Sequence, residues 1–120
     1  MLGQHYGVIL APGSVPGVHK EFDLVSLDKR IVGDAKYYSL VNGTHRPPAK
    51  LATISEYVWL LEKTGAPTIF LVFGNDRRVP MLWLNDYGNL LSNVAFFYLD
   101  DDDHLEQLTA PEEIHVQVRG

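Results

Sequence analysis

Apolar and polar positions fall into two alternating rhythms along this chain. Lys20 to Ser26 and Ile31 to Tyr38 alternate with period two and are rich in β-branched and aromatic residues, which predicts two strands. Leu27 to Arg30 reads as the turn between them. From Ala49 to Lys63 the rhythm changes: Leu51, Ile54, Val58 and Leu61 recur at spacings of three and four, which predicts an amphipathic helix. Pro47 and Pro48 suit its first turn, and Gly65 to Pro67 close it. Thr68 to Phe73 is a continuous apolar run bounded by Gly74 and Asn75, the pattern of a strand buried on both faces. Pro80 to Leu91 predicts a second helix and Val94 to Leu99 a further strand.

The ends are less patterned. Met1 to Gly17 is rich in Gly and Pro and reads as loop around one short strand near Tyr6 to Leu10. Asn42-Gly43 marks a turn. From about residue 100 the chain reads as a less ordered acidic tail, with one more strand candidate at Ile114 to Val118. The resulting order is β, β, β, α, β, α, β. It predicts an α/β domain with a mixed sheet, in which a β-meander leads into a parallel α-β crossover with flanking helices.

Composition adds bounds. At 120 residues the chain is a single domain, 1–120, and an apolar fraction of 46% is ordinary for a globular protein. There is no cysteine, which excludes disulfides, thiolate metal sites and cysteine nucleophiles. No signal peptide is read at the start and no apolar run spans a bilayer, so a soluble, cytoplasmic protein without a membrane partner is expected. The net charge of −5 is uneven: residues 1–50 hold six Lys/Arg against four Asp/Glu, whereas residues 51–120 hold four against eleven. A local basic face therefore remains compatible with the acidic total.

The hairpin carries the chemistry. With Asp28 and Lys29 as its turn, Asp23 faces Asp34, Val25 faces Val32 and Glu21 faces Lys36. Strand periodicity then sets Glu21, Asp23, Asp34 and Lys36 on one face, and Phe22, Leu24, Ile31, Ala35 and Tyr37 on the other as a core layer. Two opposed aspartates repel unless a cation compensates. Mg²⁺ takes carboxylate, water and phosphate oxygens, and a lysine beside it is suited to steady charge on a phosphate.

Phe22-Asp23, ten intervening residues, then Asp34-Ala35-Lys36 resembles the PD-(D/E)xK nuclease superfamily, the restriction-endonuclease-like fold. The resemblance covers roughly residues 5 to 75. It implies that Asp23 and Asp34 are ligands of Mg²⁺ or Mn²⁺, that Lys36 is the catalytic lysine, and that the chain is an endonuclease hydrolysing phosphodiester bonds, with DNA the expected substrate. Phe22 replaces the proline of the family motif. Glu21 stands as a supplementary ligand outside the motif. Many members carry an acidic residue on an N-terminal helix, and no such helix is read here.

Lys20, Arg46, Lys50, Arg77 and Arg78 are candidates for contacts to a nucleic-acid backbone, each against the plainer reading of an exposed loop or helix entry. Glu56 and Tyr57 read as a solvated helix face, and Trp59, Trp83, Tyr87, Phe96 and Phe97 as core or subunit interface. The run Asp100 to Asp103 with His104 reads as solvated acid rather than a metal site. A homodimer is expected, because the sheet lacks an evident covering helix on one side. Two other readings stay open: a non-catalytic module binding nucleic acid or protein, and an oligomeric structural subunit.

Overall fold

The computed structural model describes residues 2–40, 47–90 and 93–109. The turn at Asn42-Gly43, the basic residues His45 and Arg46, and the strand candidate at 114–118 lie outside the described residues. The elements are α1 (Leu2–Tyr6), β1 (Leu10–Val15), β2 (Val18–Ser26), β3 (Ile31–Tyr38), α2 (Pro48–Lys63), β4 (Thr68–Asn75), α3 (Arg78–Tyr87) with a 3-10 turn over Gly88–Leu90, β5 (Val94–Leu99) and β6 (Leu105–Leu108). The six strands form one open mixed sheet in chain order. β1, β2 and β3 form an antiparallel meander, β3, β4 and β5 run parallel, and β6 returns antiparallel.

β4 is the centre of the sheet, and it is buried from Ile69 to Gly74, as its continuous apolar run predicts. α2 and α3 are its two crossovers and share one sheet face. Ile54, Val58 and Leu61 of α2 join Val79, Trp83 and Leu84 of α3 over Val32, Ile69, Leu71, Phe73 and Phe96. Trp83 stacks on Phe96 with ring centroids 5.2 Å apart and donates its indole N–H to Ser55 Oγ at 2.9 Å, which fixes α3 against α2. Pro48 occupies the first turn of α2, where its missing N–H leaves no bond unmade, and Gly65 ends the helix at φ +69°.

The opposite face holds Phe70, Val72 and Phe97 and is covered by α1 through Leu2 and Tyr6. An apolar hollow of about 330 Å³ remains there, with Leu24, Ala35, Tyr37 and Asp23 in its lining. No helix among the described residues is long and apolar enough to cross a membrane.

Three expectations change. The strand near Tyr6 to Leu10 is instead the helix α1 followed by β1 at the sheet edge, where Pro12 removes no needed ladder bond. A helix therefore precedes the first strand, although no acidic residue lies in it. The acidic segment is not a loose tail: Asp100 Oδ1 accepts the N–H groups of Asp102 and His104, at 2.9 Å each, and the turn leads into β6.

The third change concerns β2. Its pairing with β1 runs Ala11 with Val25 and then Gly13 with Phe22, so β2 carries one extra residue between those pairs. Such a bulge reverses the parity of the strand. Phe22 consequently joins Val25 and Val32 on the helix face, whereas Leu24 joins Ile31 and Ala35 on the α1 face. The expected single layer of Phe22 with Leu24 is split across the sheet.

Candidate functional site

The bulge decides which side chains meet. On β3 the even positions Val32, Asp34, Lys36 and Tyr38 point to the helix face, as alternation requires. On β2 the reversed parity brings Lys20 and Phe22 to that same face and turns Glu21 away. Glu21 is exposed and is not brought to Asp34 and Lys36, and Asp23, which shares its parity and lines the hollow on the α1 face, meets Asp34 only at the end of the ladder, so the expected four-residue face is not formed. Lys20 takes the place expected of Glu21.

The hairpin register follows the expected pattern through Val25–Val32 and Leu24–Gly33, where the paired positions end. Beyond that point the two strands form a fork, and aspartate side chains replace the ladder. Asp34 Oδ1 accepts the Asp23 N–H at 2.7 Å, and Asp23 Oδ2 accepts the Ala35 N–H at 3.0 Å. Asp23 and Asp34 are thus held together by each other's strand rather than by direct cross-strand opposition. Gly33, the last paired residue, lies under the Phe70 ring, which a Cβ at that position would approach to 2.3 Å.

Asp34 is fully buried, at 0% exposure. Its Oδ2 lies 3.0 Å from Lys20 Nζ and 3.7 Å from Lys36 Nζ. Despite the first distance, Oδ2 has no hydrogen-bond partner, so the Lys20 contact is an ion pair made at a poor hydrogen-bonding angle. Burial, with help from the neighbouring Asp23 carboxyl, pushes the Asp34 carboxyl above its ordinary value and outweighs the Asp23 N–H and the close Lys20 ammonium, which pull it down. For Asp23, partial burial pushes up, but the Ala35 N–H, the Asp34 carboxyl and the charges of Lys36 and Lys20 together hold it below its ordinary value. The environments of the two carboxyls therefore move them apart.

Tyr57 of α2 closes the site from above. Its ring centroid is 3.5 Å from Lys36 Nζ and 4.6 Å from Lys20 Nζ, while Lys20 Nζ also lies 5.0 Å from the Phe22 ring and 3.0 Å from the Glu21 carbonyl oxygen. Cation–π contact of this kind orients an ammonium without neutralising it. Tyr38, half-buried beside them, has its phenol pushed up by burial and, to a smaller degree, by Tyr57 and Asp34. Lys50, in the first turn of α2, is exposed with its Nζ 5.7 Å from the Tyr38 ring, at the rim of this group.

The other basic candidates are engaged elsewhere. Arg77 makes two bonds to Glu106 of β6, at 2.9 and 2.7 Å, and Arg78 makes two to Asp76, both at 2.9 Å. Both guanidiniums are thereby bound to carboxylates of the chain itself. Arg46 lies outside the described residues. Glu56 is exposed on α2. Asp100, Asp102 and His104 place one ligand atom each within 4.8 Å of one another, at an exposed turn already explained by its backbone bonds.

The fork suits a hard divalent cation. Its donors are carboxylate oxygens, and one of them, Asp34 Oδ2, is buried without a hydrogen bond. Sequence reasoning named Lys20 only as a contact to a nucleic-acid backbone, not as a partner of Asp34, and read Tyr57 as part of a solvated helix face. Nothing in strand alternation announces the bulge that admits Lys20, and Tyr57 shows only as one polar-tipped residue near the apolar stripe of α2. Comparison of the chain with protein-family models, with curated proteins and with solved structures finds no match. Function has to be read from the site itself.

Proposed function

We propose that this chain is a divalent-metal-dependent nuclease with a restriction-endonuclease-like fold, acting on phosphodiester bonds of nucleic acid, DNA foremost. The observation that carries the reading is the fork. It holds a fully buried aspartate, Asp34, whose Oδ2 has no hydrogen bond, against Asp23 from the neighbouring strand and a lysine two residues along. The order helix, three-strand meander, helix, parallel strand supports the same reading, as does the Asp-x-Lys placement on β3.

In this reading Asp23 and Asp34 hold Mg²⁺ or Mn²⁺ through their carboxylate oxygens. Bound there, the ion supplies Lewis-acid polarisation of a phosphoryl oxygen and an acidified water. Lys36 stabilises the negative charge that develops on the phosphate oxygens, and the Tyr57 ring keeps its ammonium directed into the site. Lys50 at the rim holds a neighbouring backbone phosphate.

The competing reading is a non-catalytic module of the same fold. It is favoured by one contact, Lys20 Nζ at 3.0 Å from Asp34 Oδ2, which already neutralises the carboxylate that would hold the metal. Incubating the protein with Mg²⁺ or Mn²⁺ and a panel of duplex, single-stranded and branched DNA and RNA, beside Asp34→Ala and Lys36→Ala, separates the two. Cleavage by the wild type and its loss in both variants is expected. No cleavage of any substrate by a folded wild type sinks the nuclease reading in favour of the module.

A further inference from the structure

We infer that Lys20 is a resident stand-in for the metal: its ammonium holds Asp34 Oδ2 while the site is free of metal, and an incoming divalent ion displaces it. This rests on the metal reading of the fork given above. It goes beyond that reading by assigning a residue outside the Asp…Asp-x-Lys pattern to control of metal entry.

The geometry separates the two lysines. Asp34 Oδ1 is occupied by the Asp23 N–H, so Oδ2 is the oxygen left for a cation. Lys20 Nζ is the nearer ammonium at 3.0 Å, whereas Lys36 Nζ stands back at 3.7 Å and sits closer to the Tyr57 ring, 3.5 Å from its centroid. Lys36 is thus anchored on an aromatic face and Lys20 on the carboxylate. A divalent ion held by Oδ2 would compete with the Lys20 ammonium for the same oxygen and would repel it, like charge against like. Lys20 can leave Oδ2: its side chain is 18% exposed on a flexible four-carbon stem, and its ammonium already has other partners beside the carboxylate, the Glu21 carbonyl oxygen at 3.0 Å and the Phe22 and Tyr57 rings. Once displaced, its charge faces the same fork and is free to meet a phosphate. The bulge in β2 is what makes the arrangement possible, because without the extra residue Lys20 would point to the opposite face.

The test is Mn²⁺ binding to the full chain without nucleic acid, followed by calorimetry, for the wild type, Lys20→Met, Lys20→Arg and Asp34→Asn. Lys20→Met keeps the apolar stem and removes the competing charge, so it is expected to bind Mn²⁺ about tenfold more tightly, equivalent to ~1.4 kcal/mol. Lys20→Arg keeps the competitor and should bind no better than the wild type, and Asp34→Asn should lose binding. Unchanged or weaker binding by a folded Lys20→Met, with Asp34→Asn still abolishing it, overturns the role of Lys20 and leaves the metal reading standing. Absence of binding in the wild type and in Lys20→Met overturns both. Should Lys20→Met fail to fold, Mg²⁺ titration of wild-type protein carrying ¹⁵N-lysine decides the matter. The Lys20 ammonium resonance is expected to move on binding, and a resonance unmoved at saturation overturns the proposal.

Discussion

Asp34 shows what it takes to hold a carboxyl group away from solvent. A carboxylate with no solvent exposure is costly unless paired and hydrogen-bonded, and here the compensation is incomplete: one oxygen receives an N–H, the other only ammonium charge. The upward push on its carboxyl is the signature of that shortfall. Asp34→Asn keeps an oxygen for the Asp23 N–H and removes the desolvated charge. In the metal-free protein this variant is therefore expected to melt at the wild-type temperature or above it. Asp34→Ala orphans the Asp23 N–H and should lose about 1–3 kcal/mol. Thermal melts of the three proteins with a chelator present check this, and an Asp34→Asn variant as unstable as Asp34→Ala would contradict it. That Asp34 and Lys36 share a face was legible, because a two-residue step along a strand keeps a face, whereas the way Asp23 meets Asp34, through backbone N–H groups beyond the last ladder pair, was not. The two-sided electrostatics was not, since it depends on what α2 lays over that face.

Elements were legible where the pattern is long and regular. β3 and β5 occur with the expected bounds, α2 and β4 differ by one or two residues at an end, and the hairpin register through Val25–Val32 follows from its turn. The bulge in β2 was not legible, because Phe22, Leu24 and Val25 are all acceptable on either buried face, so hydrophobicity alone did not choose a parity. β6 was hidden by its own preface of four aspartates, whose composition suggests solvent and whose backbone forms a tight turn. The start of α3 carries a separate consequence. Asp76 accepts the N–H groups of Arg78 and Leu40 at 3.1 and 3.4 Å, as well as the Arg78 guanidinium. The Arg78 side chain is the main cause holding its carboxyl below the ordinary value; burial opposes it, and the Arg78 and Leu40 N–H groups assist. A carboxyl depressed by folding adds stability above its ordinary value and loses it as pH falls through the depressed one. Asp76→Ala should thus cost about 0.5–2 kcal/mol near neutral pH, and the gap to the wild type should close on acidification. Denaturant unfolding at neutral and strongly acidic pH measures it, and a gap that does not narrow would refute the assignment.

At the scale of the molecule the charge is divided along the sheet. Lys20, Lys36 and Lys50 gather around β2, β3 and the first turn of α2, while Asp100 to Asp103 and Glu106 lie at the β5–β6 edge. Glu21, Asp23 and Asp34 stand among those lysines and balance them, so the unbalanced acid among the described residues lies at the β5–β6 edge, which repels a polyanion. Under the nuclease proposal, Lys50→Ala should weaken nucleic-acid binding across sequences. It should also reduce the slope of log affinity against log salt by about 0.9, the loss of one phosphate contact. Fluorescence anisotropy over a salt series gives that slope, and an unchanged value would remove Lys50 from the interface. The order of the strands has a consequence of another kind. Each strand pairs only with its neighbours in the chain, but the two parallel pairings each bridge a helix: β3 meets β4 across α2, and β4 meets β5 across α3. The antiparallel meander closes through short turns and is the part that forms fast, whereas the parallel pairings wait on α2 and α3, so a chain synthesised from its N-terminus can lay the sheet down from one edge. The β1–β2–β3 meander, with both aspartates in it, is then complete before α2 leaves the ribosome, and the arrival of Tyr57 over the two lysines marks the moment at which the site acquires its final form.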